Sequence, residues 1–402
     1  MADERPTVVL GVAGGIAAYK ACELLRLLTE SGHDVRVVPT AAALRFVGAP
    51  TWAALSGHPV HDDVWTSVHE VPHVRLGRGA DLVIVAPATA DLLAKAAHGQ
   101  ADDLLTNTLL TAGCPIVYAP AMHTEMWQNA ATRANVATLR SRGAIVIEPA
   151  VGRLTGADTG RGRLPEPAEI FEVLRRVLSG RSTLTDLAGR HVVVTAGGTR
   201  EPLDPVRYLG NRSSGKQGYA FARTAVARGA RVTLIAANVT LPTPAGVDLV
   251  RVSTTEELRK ATLEAGSGAD VVVMAAAPAD FRPLTYADKK IKKSADGSAP
   301  VIELAVNPDI AAEIGERKRP GQILVAFAAE TNDAIEHGRD KLIRKRADLI
   351  VVNEVGVDKT FGQDTNAATV IGADGSSTVL DQRSKDDLAD AVWDLAVARL
   401  RG

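Results

Sequence analysis

The stretch TVVLGVAGGIAAYK, residues 7–20, determines the fold predicted for the first half of the chain. Residues 7–12 form a mostly apolar run typical of a buried strand, and Gly14 and Gly15 separate it from a helical pattern near residues 16–29. A strand that turns through glycines into a helix is typical of a parallel α/β sheet. Such a turn can also place backbone N–H groups against one phosphate.

Strands and helices alternate along the whole chain in two sets. The first set of strands comprises residues 7–12, 34–39, 81–87, 115–120 and 144–149, and the second comprises 191–198, 231–237, 270–277, 323–329 and 348–354. Helices near 167–178 and 384–400 close the two sets. Because buried parallel strands with crossover helices give this alternation, we predict an α/β protein with two doubly wound, Rossmann-like parallel-sheet domains. The predicted domains are residues 1–180 and 190–402, with a linker at 181–189.

Composition excludes several classes of partner. The 402 residues include 46 Lys and Arg against 47 Asp and Glu, so no overall charge attracts nucleic acid or an anionic membrane. No apolar run approaches the roughly 20 residues that span a bilayer, and we therefore expect a cytoplasmic protein without membrane contact. Cys22 and Cys114 are too few for a disulfide framework and are expected to be small buried apolar side chains.

The glycines of the first domain do not match a dinucleotide site. Gly11, Gly14 and Gly15 do not fit G-x-G-x-x-G, and the second strand ends at Thr40 without the acidic residue that binds the ribose of NAD. A mononucleotide fits this pattern better, although a glycine turn that only packs strand on helix remains an alternative. Two further strands end in Ala-Pro, at 86–87 and 119–120, and should line one ligand crevice at the carboxyl ends of the strands. After them, Thr89 offers a hydroxyl, and three side chains could form an apolar wall for an aromatic ring: Met122, Met126 and Trp127.

The second domain contains GNRSSGKQGYAFA, residues 210–222, which is not a Walker-type phosphate loop because Gln217 stands where a magnesium-binding hydroxyl is needed. Two serines, a glycine and a lysine before an amphipathic run nevertheless predict an anion site at a helix N-terminus. Which phosphate this loop holds is left open by the residues alone. The segment DKKIKKSADGSAP, 288–300, reads as a loop and is equally typical of a solvated charge run.

Four motifs of the first half resemble the FMN-dependent phosphopantothenoylcysteine decarboxylases: GVAGGIAAYK (11–20), PATAD (87–91), PAMHTEMW (120–127) and GRLTGADTGRGRLPEP (152–167). The resemblance implies a flavoprotein three-layer αβα domain, a trimer with active sites between subunits, and His73 as the catalytic base. It assigns FMN binding to Gly14, Gly15, Ile16, Thr40, Pro87, Ala88 and Thr89, and substrate binding to His123 and Met126.

Two positions depart from this family. His123 stands where many members carry Asn, and Gly156 stands where they carry a cysteine that protonates the enethiol intermediate. Gly156 has no proton to donate, but the neighbouring residues Gly152, Gly160, Gly162 and Arg163 match the family's flap. We therefore expect a working flap with a substitute donor, either Asp158 or a flap-held water.

The second half resembles the phosphopantothenate–cysteine ligase that is fused to this decarboxylase in many bacteria. The match runs through TAGGTREPLDPVRYLGNRSSGKQG (195–218), AAAPADF (275–281), KIKK (290–293), NPDI (307–310), FAAET (327–331) and KLIRKRADLIVVNEV (341–355). It implies catalytic roles for Asn211 and Lys290, and a dimer in which Arg207 reaches the neighbouring subunit's substrate. Further implied substrate residues are Ser213, Ser214, Gly215, Ala276 and Ala277; CTP residues are Met274, Ala275, Ala276, Asp280, Lys290, Pro308, Asp309, Ile310, Ala311, Phe327, Lys341 and Lys345; Mg²⁺ ligands are Asp280 and Asp309.

Together the two resemblances imply a bifunctional enzyme of coenzyme A biosynthesis. It would join 4′-phosphopantothenate to cysteine through an acyl-cytidylate made from CTP, and then decarboxylate 4′-phosphopantothenoylcysteine to 4′-phosphopantetheine. The implied assembly is a homo-oligomeric dodecamer, in which decarboxylase trimers are joined by ligase dimers. An NAD-linked oxidoreductase and a regulatory flavoprotein without catalysis are the alternatives, and the residues alone do not distinguish CTP from ATP.

Overall fold

The computed structural model describes residues 5–60, 72–153, 159–180, 186–292, 299–330, 334–354 and 365–400. The chain divides into two compact units, Met1–Leu184 with Pro244–Gly246, and Thr185–Thr243 with Val247–Gly402. Gly156 and Asp158, which the sequence places in the flap, lie outside the described residues. None of the described helices is both long enough and apolar enough to cross a membrane.

The first unit contains a five-stranded parallel sheet in the order β2-β1-β3-β4-β5, with a separate hairpin formed by β6 and β7. The order reverses between β1 and β3, which is the switch point at which ligands bind in such sheets. Its elements are β1 (Thr7–Val12), α1 (Ala18–Glu30), β2 (Asp34–Pro39), a 3₁₀ turn (Ala43–Arg45), α2 (Ala49–Ser56), α3 (Pro72–Gly79), β3 (Leu82–Ala88), α4 (Ala90–His98), α5 (Leu104–Thr111), β4 (Ile116–Pro120), α6 (Thr124–Gln128), α7 (Ala130–Ser141), β5 (Ile145–Val146), β6 (Ala150–Arg153), β7 (Thr159–Arg163) and α8 (Pro167–Leu178).

Both faces of this sheet are covered, as the continuous apolar strands predict. Along β1, Val8 and Leu10 pack into one apolar cluster and Val9 into another, because successive side chains of a strand point to opposite faces. The helix predicted near 167–178 is α8, which occupies Pro167–Leu178. The strand predicted at 144–149 is reduced to Ile145–Val146, where it pairs with only two residues of β4 at the sheet edge.

The second unit contains an eight-stranded sheet in the order β12-β11-β8-β13-β16-β17-β18-β19. Its switch point lies between β8 and β13, and two small antiparallel pairs, β9 with β10 and β14 with β15, stand apart from the sheet. The elements are β8 (His191–Gly197), β9 (Arg200–Pro202), β10 (Tyr208–Gly210), α9 (Lys216–Ala227), β11 (Arg231–Ala237), β12 (Val247–Val252), α10 (Thr255–Gly266), β13 (Val271–Met274), β14 (Phe281–Pro283), β15 (Leu304–Val306), α11 (Ile310–Arg317), β16 (Ile323–Glu330), α12 (Ala334–Arg344), β17 (Leu349–Glu354), β18 (Thr365–Gly372), β19 (Ser377–Ser384) and α13 (Lys385–Leu400).

Two features of this unit were not expected from the sequence. Strand β12 extends one edge of the parallel sheet, and β18 and β19 extend the other edge in antiparallel orientation. After the parallel strand β17, the strands β18 and β19 form a hairpin. Its turn contains Asp374 and Gly375, a dipeptide that favours hairpins. Doubly wound sheets commonly carry such an antiparallel edge, so the predicted fold class holds while the strand count increases.

Helices α9 and α13 pack together on one face of the second sheet. The indole of Trp393 lies 5.5 Å from the ring of Phe221, and its Nε1 donates to Thr224 Oγ1 at 2.9 Å. Nearby, the almost fully buried guanidinium of Arg228 contacts Asp186 at 2.6 Å and Asp394 at 2.8 Å. These ion pairs tie the beginning of the second unit to both helices.

Candidate active sites

A cavity of about 580 Å³ lies in the second unit, where the loops that follow β8 and β13 meet β16. This is the switch point of the sheet, at the carboxyl ends of its parallel strands, where open α/β sheets bind ligands. Most of the ligase residues expected from the sequence line it: Asn211, Ser213, Ser214, Gly215, Met274, Ala275, Ala276, Ala277, Asp280, Pro308, Asp309, Ile310, Ala311, Phe327, Lys341 and Lys345.

Two expected ligase residues are not among those that line the cavity. Lys290 lies exposed on the segment that follows β14. The guanidinium of Arg207 contacts the carboxylate of Asp204 at 2.6 Å and donates to the carbonyl oxygen of Ile291 at 2.7 Å. The hydrogen bond from the guanidinium of Arg207 holds the pKa of Asp204 well below its ordinary value. Arg207 is therefore held in a fixed orientation outside its own cavity.

The predicted anion site is the N-terminus of α9. The helix begins at Lys216, directly after the glycine-serine loop, and its N-cap Gly215 has a φ of 77°. A side chain at Gly218 would have its Cβ only 2.5 Å from the Cβ of Ala196, so the first turn of α9 lies directly on β8. This close approach fixes the position of the helix N-terminus, whose N–H groups lack partners within the helix.

Lys345 has a partner that the sequence did not reveal. Its ammonium contacts both carboxylate oxygens of Asp309, at 2.6 and 2.7 Å, and Asp309 also caps α11 by accepting from Ala312 N at 3.1 Å. Burial alone would raise the pKa of Asp309, but the hydrogen bonds and charge of Lys345 lower it below its ordinary value. Because α12 ends at Arg344, Lys345 lies just beyond the helix that carries Lys341.

Residues to which the sequence analysis gave no role at the site also line this cavity, among them Gln217, Asn353, Asn366 and Lys385. Asn353 is only 9 % exposed, and its Oδ1 has no hydrogen-bond partner among the described residues. Lys385 is 7 % exposed and begins α13, where a cation is unfavourable to the helix dipole. A lysine at the start of a helix was the one sign in the sequence that these residues form part of a site, because Asn353 and Asn366 come together with Gln217 only in the folded sheet.

The predicted FMN residues of the first unit gather at the switch point between β1 and β3. Ala13 N donates to Pro87 O at 3.1 Å, and Thr40 N donates to Val12 O at 2.9 Å, which joins the loops after β1, β2 and β3. A Cβ placed on Gly15 would lie 3.7 Å from Thr89 Cγ2. This arrangement brings together Gly14, Gly15, Ile16, Thr40, Pro87, Ala88 and Thr89.

The segment after β4 meets the hairpin of β6 and β7. Met122 N donates to Gly162 O at 2.9 Å, and a Cβ on Gly162 would lie 2.2 Å from Met122 O. Met126 is 47 % exposed, as a ligand-facing side chain should be, and His123 is also exposed. Trp127 is 9 % exposed and packs in the core, so the expected apolar wall does not include it. Its indole fills space between α6 and the sheet rather than facing the crevice.

His73 lies at the beginning of α3, and its carbonyl oxygen accepts from Thr111 Oγ1 at 2.8 Å. Its Nδ1 atom is buried and has no hydrogen-bond partner among the described residues. A buried ring nitrogen without a partner is costly, so the imidazole is available to a group other than the described residues.

Comparisons with known proteins agree with both halves of this description. A family model described as Flavoprotein matches residues 1–179, and one described as DNA/pantothenate metabolism flavoprotein C-terminal domain matches 187–400. A crystal structure of the C-terminal domain of coenzyme A biosynthesis bifunctional protein CoaBC is 34% identical, covers 54% of this chain and 98% of its own, and has a TM-score of 0.47.

Whole proteins match over nearly their full length. The coenzyme A biosynthesis bifunctional protein CoaBC of Mycobacterium tuberculosis is 56% identical, over 98% of this chain and 97% of that protein. The protein of the same name from Bacillus subtilis is 43% identical, over 95% of this chain and 94% of that protein. Because identity at this level extends through both units, the chain belongs to the family of the coenzyme A biosynthesis bifunctional protein CoaBC.

Proposed function

We propose that the cavity of the second unit joins 4′-phosphopantothenate to cysteine with CTP, and that the switch point of the first unit decarboxylates the product with FMN. The observation that carries the proposal is that one cavity gathers most of the residues expected for the ligase, although they come from five separate sequence motifs. The match of each half to its own family model supports two activities in one chain.

The ligase reaction needs an activated acyl group, because a carboxylate is a poor electrophile. The carboxylate of 4′-phosphopantothenate attacks the α-phosphate of CTP, pyrophosphate leaves, and the amine of cysteine then displaces CMP from the acyl carbon. The first step concentrates negative charge, which Lys341 and Lys345 are positioned to offset. Asn211 donates one Nδ2 hydrogen to Pro278 O at 2.9 Å, which leaves the other for the acyl oxygen.

We place the phosphate of 4′-phosphopantothenate, rather than the nucleotide, at the N-terminus of α9. Helices α9 and α13 both begin at the cavity, and Gln217 Nε2 joins them by donating to Lys385 O at 3.1 Å. The buried ammonium of Lys385 and the buried amide of Asn353 add a charge and a polar group at the same end. A dianionic phosphomonoester can accept from the lysine and from both helix N-termini, because these groups offer donors only.

Magnesium was expected at Asp280 and Asp309. Among the described residues there is no group of three or more His, Cys, Asp or Glu side chains that could hold a metal ion, and Asp309 already binds Lys345. A magnesium ion at this site would therefore take most of its ligands from nucleotide phosphates and water. The steps above rely on the lysines and the helix terminus alone.

The residues of the first unit fit FMN. The sheet order 2-1-3-4-5 is that of flavodoxin-like folds, and Gly15 faces Thr89 across the switch point without a side chain between them. Ile16, 67 % exposed, offers an apolar surface beside the glycine loop. FMN, when bound, supplies the hydride acceptor that turns the cysteine thiol into a thioaldehyde, whose C=S group makes the adjacent carboxylate labile.

The protein's part in decarboxylation is to orient the substrate and move protons. We assign the removal of the thiol proton to the imidazole of His73, whose buried Nδ1 lacks a partner among the described residues. The exposed side chains of His123 and Met126 are positioned to contact the substrate after β4. The donor that protonates the enethiol remains a prediction, either Asp158 or a water molecule, and accumulation of enethiol by Asp158→Asn would identify the carboxyl.

Exposed apolar side chains favour self-association of the second unit. Around β10 and on β15, Val206 is 61 % exposed, Tyr208 is 52 % and Leu304 is 50 %. Apolar surface of this kind usually marks an interface, and a second copy seated there would meet Arg207, which follows β9 close by. We propose ligase dimers on this face, joined to trimers of the first unit in a dodecamer.

A coupled assay tests the proposal. The purified protein with 4′-phosphopantothenate, cysteine and CTP should release pyrophosphate, CMP and CO₂ in equal amounts and yield 4′-phosphopantetheine. Omitting cysteine should leave one pyrophosphate per site and no CO₂, and ATP in place of CTP tests the nucleotide. Absence of CO₂ from a flavin-loaded protein supplied with 4′-phosphopantothenoylcysteine would refute the decarboxylase assignment.

A further inference from the structure

We propose that a buried hydrogen-bond network of Glu201, Thr255, Thr199 and Asn307 positions the two carboxylate-bearing loops of the ligase cavity for activation of the acyl group. Glu201 is 4 % exposed, and Thr199 and Thr255 are fully buried. The inference rests on the proposed ligase function of this cavity and assigns these residues a positioning role. Two of them lie in the motif TREPLDPVR, 199–207, which no step of the reaction above uses.

The two hydroxyl groups of the network both donate their hydrogen bonds towards Glu201. Glu201 Oε1 accepts from Thr255 N at 2.8 Å and from Thr255 Oγ1 at 2.7 Å. The hydroxyl of Thr255 has one hydrogen, so at its 2.9 Å contact with Thr199 Oγ1 it accepts and the hydroxyl of Thr199 donates. The carboxylate of Glu201 thereby fixes the orientation of both hydroxyls, and hydrogen bonds aligned in this way strengthen one another.

The far end of the network holds the loop that carries Asp280. Ala279 N donates to Thr199 Oγ1 at 2.8 Å. Because Thr199 donates its own hydrogen towards Glu201, its oxygen is left to accept this backbone N–H. Thr199 also follows β8, on the opposite side of the switch point from the loop after β13. One hydroxyl therefore connects the loop of Asp280 to the base of β9.

Asn307 connects the same network to the loop that carries Asp309. Its Nδ2 donates to Ala279 O at 2.9 Å and to Thr255 Oγ1 at 3.3 Å, and its backbone N donates to Asp280 O at 2.9 Å. The amide oxygen accepts from Arg282 at 3.1 Å, so the side chain is fully used. The separation of the Asp280 and Asp309 loops is set through Asn307 and the hydroxyls of the network.

A buried carboxylate is an expensive way to hold two loops together if packing alone is required. Glu201 is stabilised by the N-terminus of α10, where Thr255 is the first helical residue. The charge of Glu201 gives the network a defined geometry, because the hydroxyls of Thr255 and Thr199 can then each donate in one direction only. Alignment of a carboxylate with a phosphate is sensitive to displacements of about 1 Å, so the step that uses CTP depends on this geometry.

Thr199→Val tests the inference, because it keeps the shape of the side chain and removes the hydroxyl. The rate of pyrophosphate release from CTP and 4′-phosphopantothenate should fall about 10- to 100-fold, while the KM for CTP stays within about threefold. Amide formation from supplied phosphopantothenoyl-cytidylate should fall much less. Release of CO₂ from supplied 4′-phosphopantothenoylcysteine should be unchanged, since it uses the first unit.

Two further variants separate positioning from stability. Thr199→Ser restores the hydroxyl and should recover most of the pyrophosphate-release rate. Thr262→Val is the matched control, because that buried hydroxyl donates only to Leu258 O within α10, at 2.6 Å, and its removal should leave the rate unchanged. If Thr199→Val does not fold, Thr255→Val replaces it, since it removes the other hydroxyl of the network and keeps the shape of the side chain.

Several results would overturn the inference. One is a rate within about threefold of the unmutated enzyme for Thr199→Val, or for Thr255→Val if that replaces it. The others are an equal loss for Thr199→Ser, and a proportional loss in both half-reactions that follows the folded fraction. An unmutated enzyme that releases no pyrophosphate would instead refute the proposed ligase function. The ratio of variant to unmutated rate therefore tests the network, and the unmutated rate tests the function.

Discussion

Adding one methyl group at Gly218 should displace the anion site of the ligase cavity. Gly218 is buried in the first turn of α9, and its Cβ would lie 2.5 Å from Ala196 Cβ and 2.7 Å from Thr195 O. A Cβ atom in a protein essentially never lies closer than 3.0 Å to such an atom, and the neighbours here are the backbone and a short side chain of the central strand β8. Since β8 cannot yield, α9 has to move away by somewhat under about 1 Å.

The expected loss of stability is small and the expected loss of function is larger. Overpacking of this kind costs about 1–3 kcal/mol, and alanine regains about 1 kcal/mol relative to glycine within a helix. The net loss in the free energy of unfolding should be about 1 kcal/mol and at most about 2 kcal/mol. A displacement of nearly 1 Å at a reacting site can reduce turnover by about 100-fold, so pyrophosphate release should fall by about 10- to 100-fold.

Urea unfolding and pyrophosphate release, measured on Gly218→Ala, examine both quantities. Gly268→Ala is the matched control, because a Cβ at that position meets nothing within 4 Å and its φ is not left-handed. The control should change neither stability nor activity. If Gly218→Ala retained activity while losing more than about 3 kcal/mol, or lost neither, the fixed contact between α9 and β8 would not be what positions the anion site.

Three other changes test separate parts of the molecule. His73→Asn should keep the flavin spectrum but reduce CO₂ release by at least about 100-fold, and near-normal turnover would reject its role as base. Lys345→Met should slow pyrophosphate release about tenfold. It should also flatten the fall of stability below about pH 4, because the pKa of Asp309 is lowered in the folded protein. The stability that this lowering contributes is present above the unfolded pKa and is lost as the pH falls through the folded pKa. Arg228→Met leaves Asp186 buried without its counter-charge and should cost about 3–5 kcal/mol in urea unfolding, a prediction that fails if the loss is below about 1 kcal/mol.

The sequence predicts those features that local pattern encodes. Apolar runs locate the parallel strands, and the change to a helical pattern after 210–215 locates the start of α9 at Lys216. Strands β18 and β19 were missed because their sequences, TNAATVIG and STVLDQRS, alternate apolar and polar residues only weakly, although Asp374-Gly375 is a hairpin signal between them.

Features that depend on tertiary contact could not be predicted in this way. Asn353 lines the cavity because β17 ends beside α9, and Lys385 lines it because α13 begins there. No spacing in the chain encodes this proximity. Trp127 follows an Ala-Pro strand end, as a ligand-facing residue would, yet packs in the core. The partner of Lys345 was also hidden, because Asp309 lies on a different helix. Side-chain types indicate a chemistry, but only packing decides which of them face the ligand.

The two units share one arrangement at the switch point but differ in the length of the connection that follows the first strand. In each, a strand passes through glycines at a switch point and a helix N-terminus follows, but only 13–17 separate β1 from α1, whereas 198–215 separate β8 from α9. The longer connection contains β9 and β10, whose outer residues are exposed. Within it, Thr199 and Glu201 face inward to fix the cavity loops, and Arg207 is held outward by Asp204. In the ligase dimer that we propose, a residue held away from its own cavity, beside an exposed apolar surface, would meet a neighbouring subunit's substrate. On that proposal, the insertion between β8 and α9 serves both the cavity of its own subunit and that of a second copy.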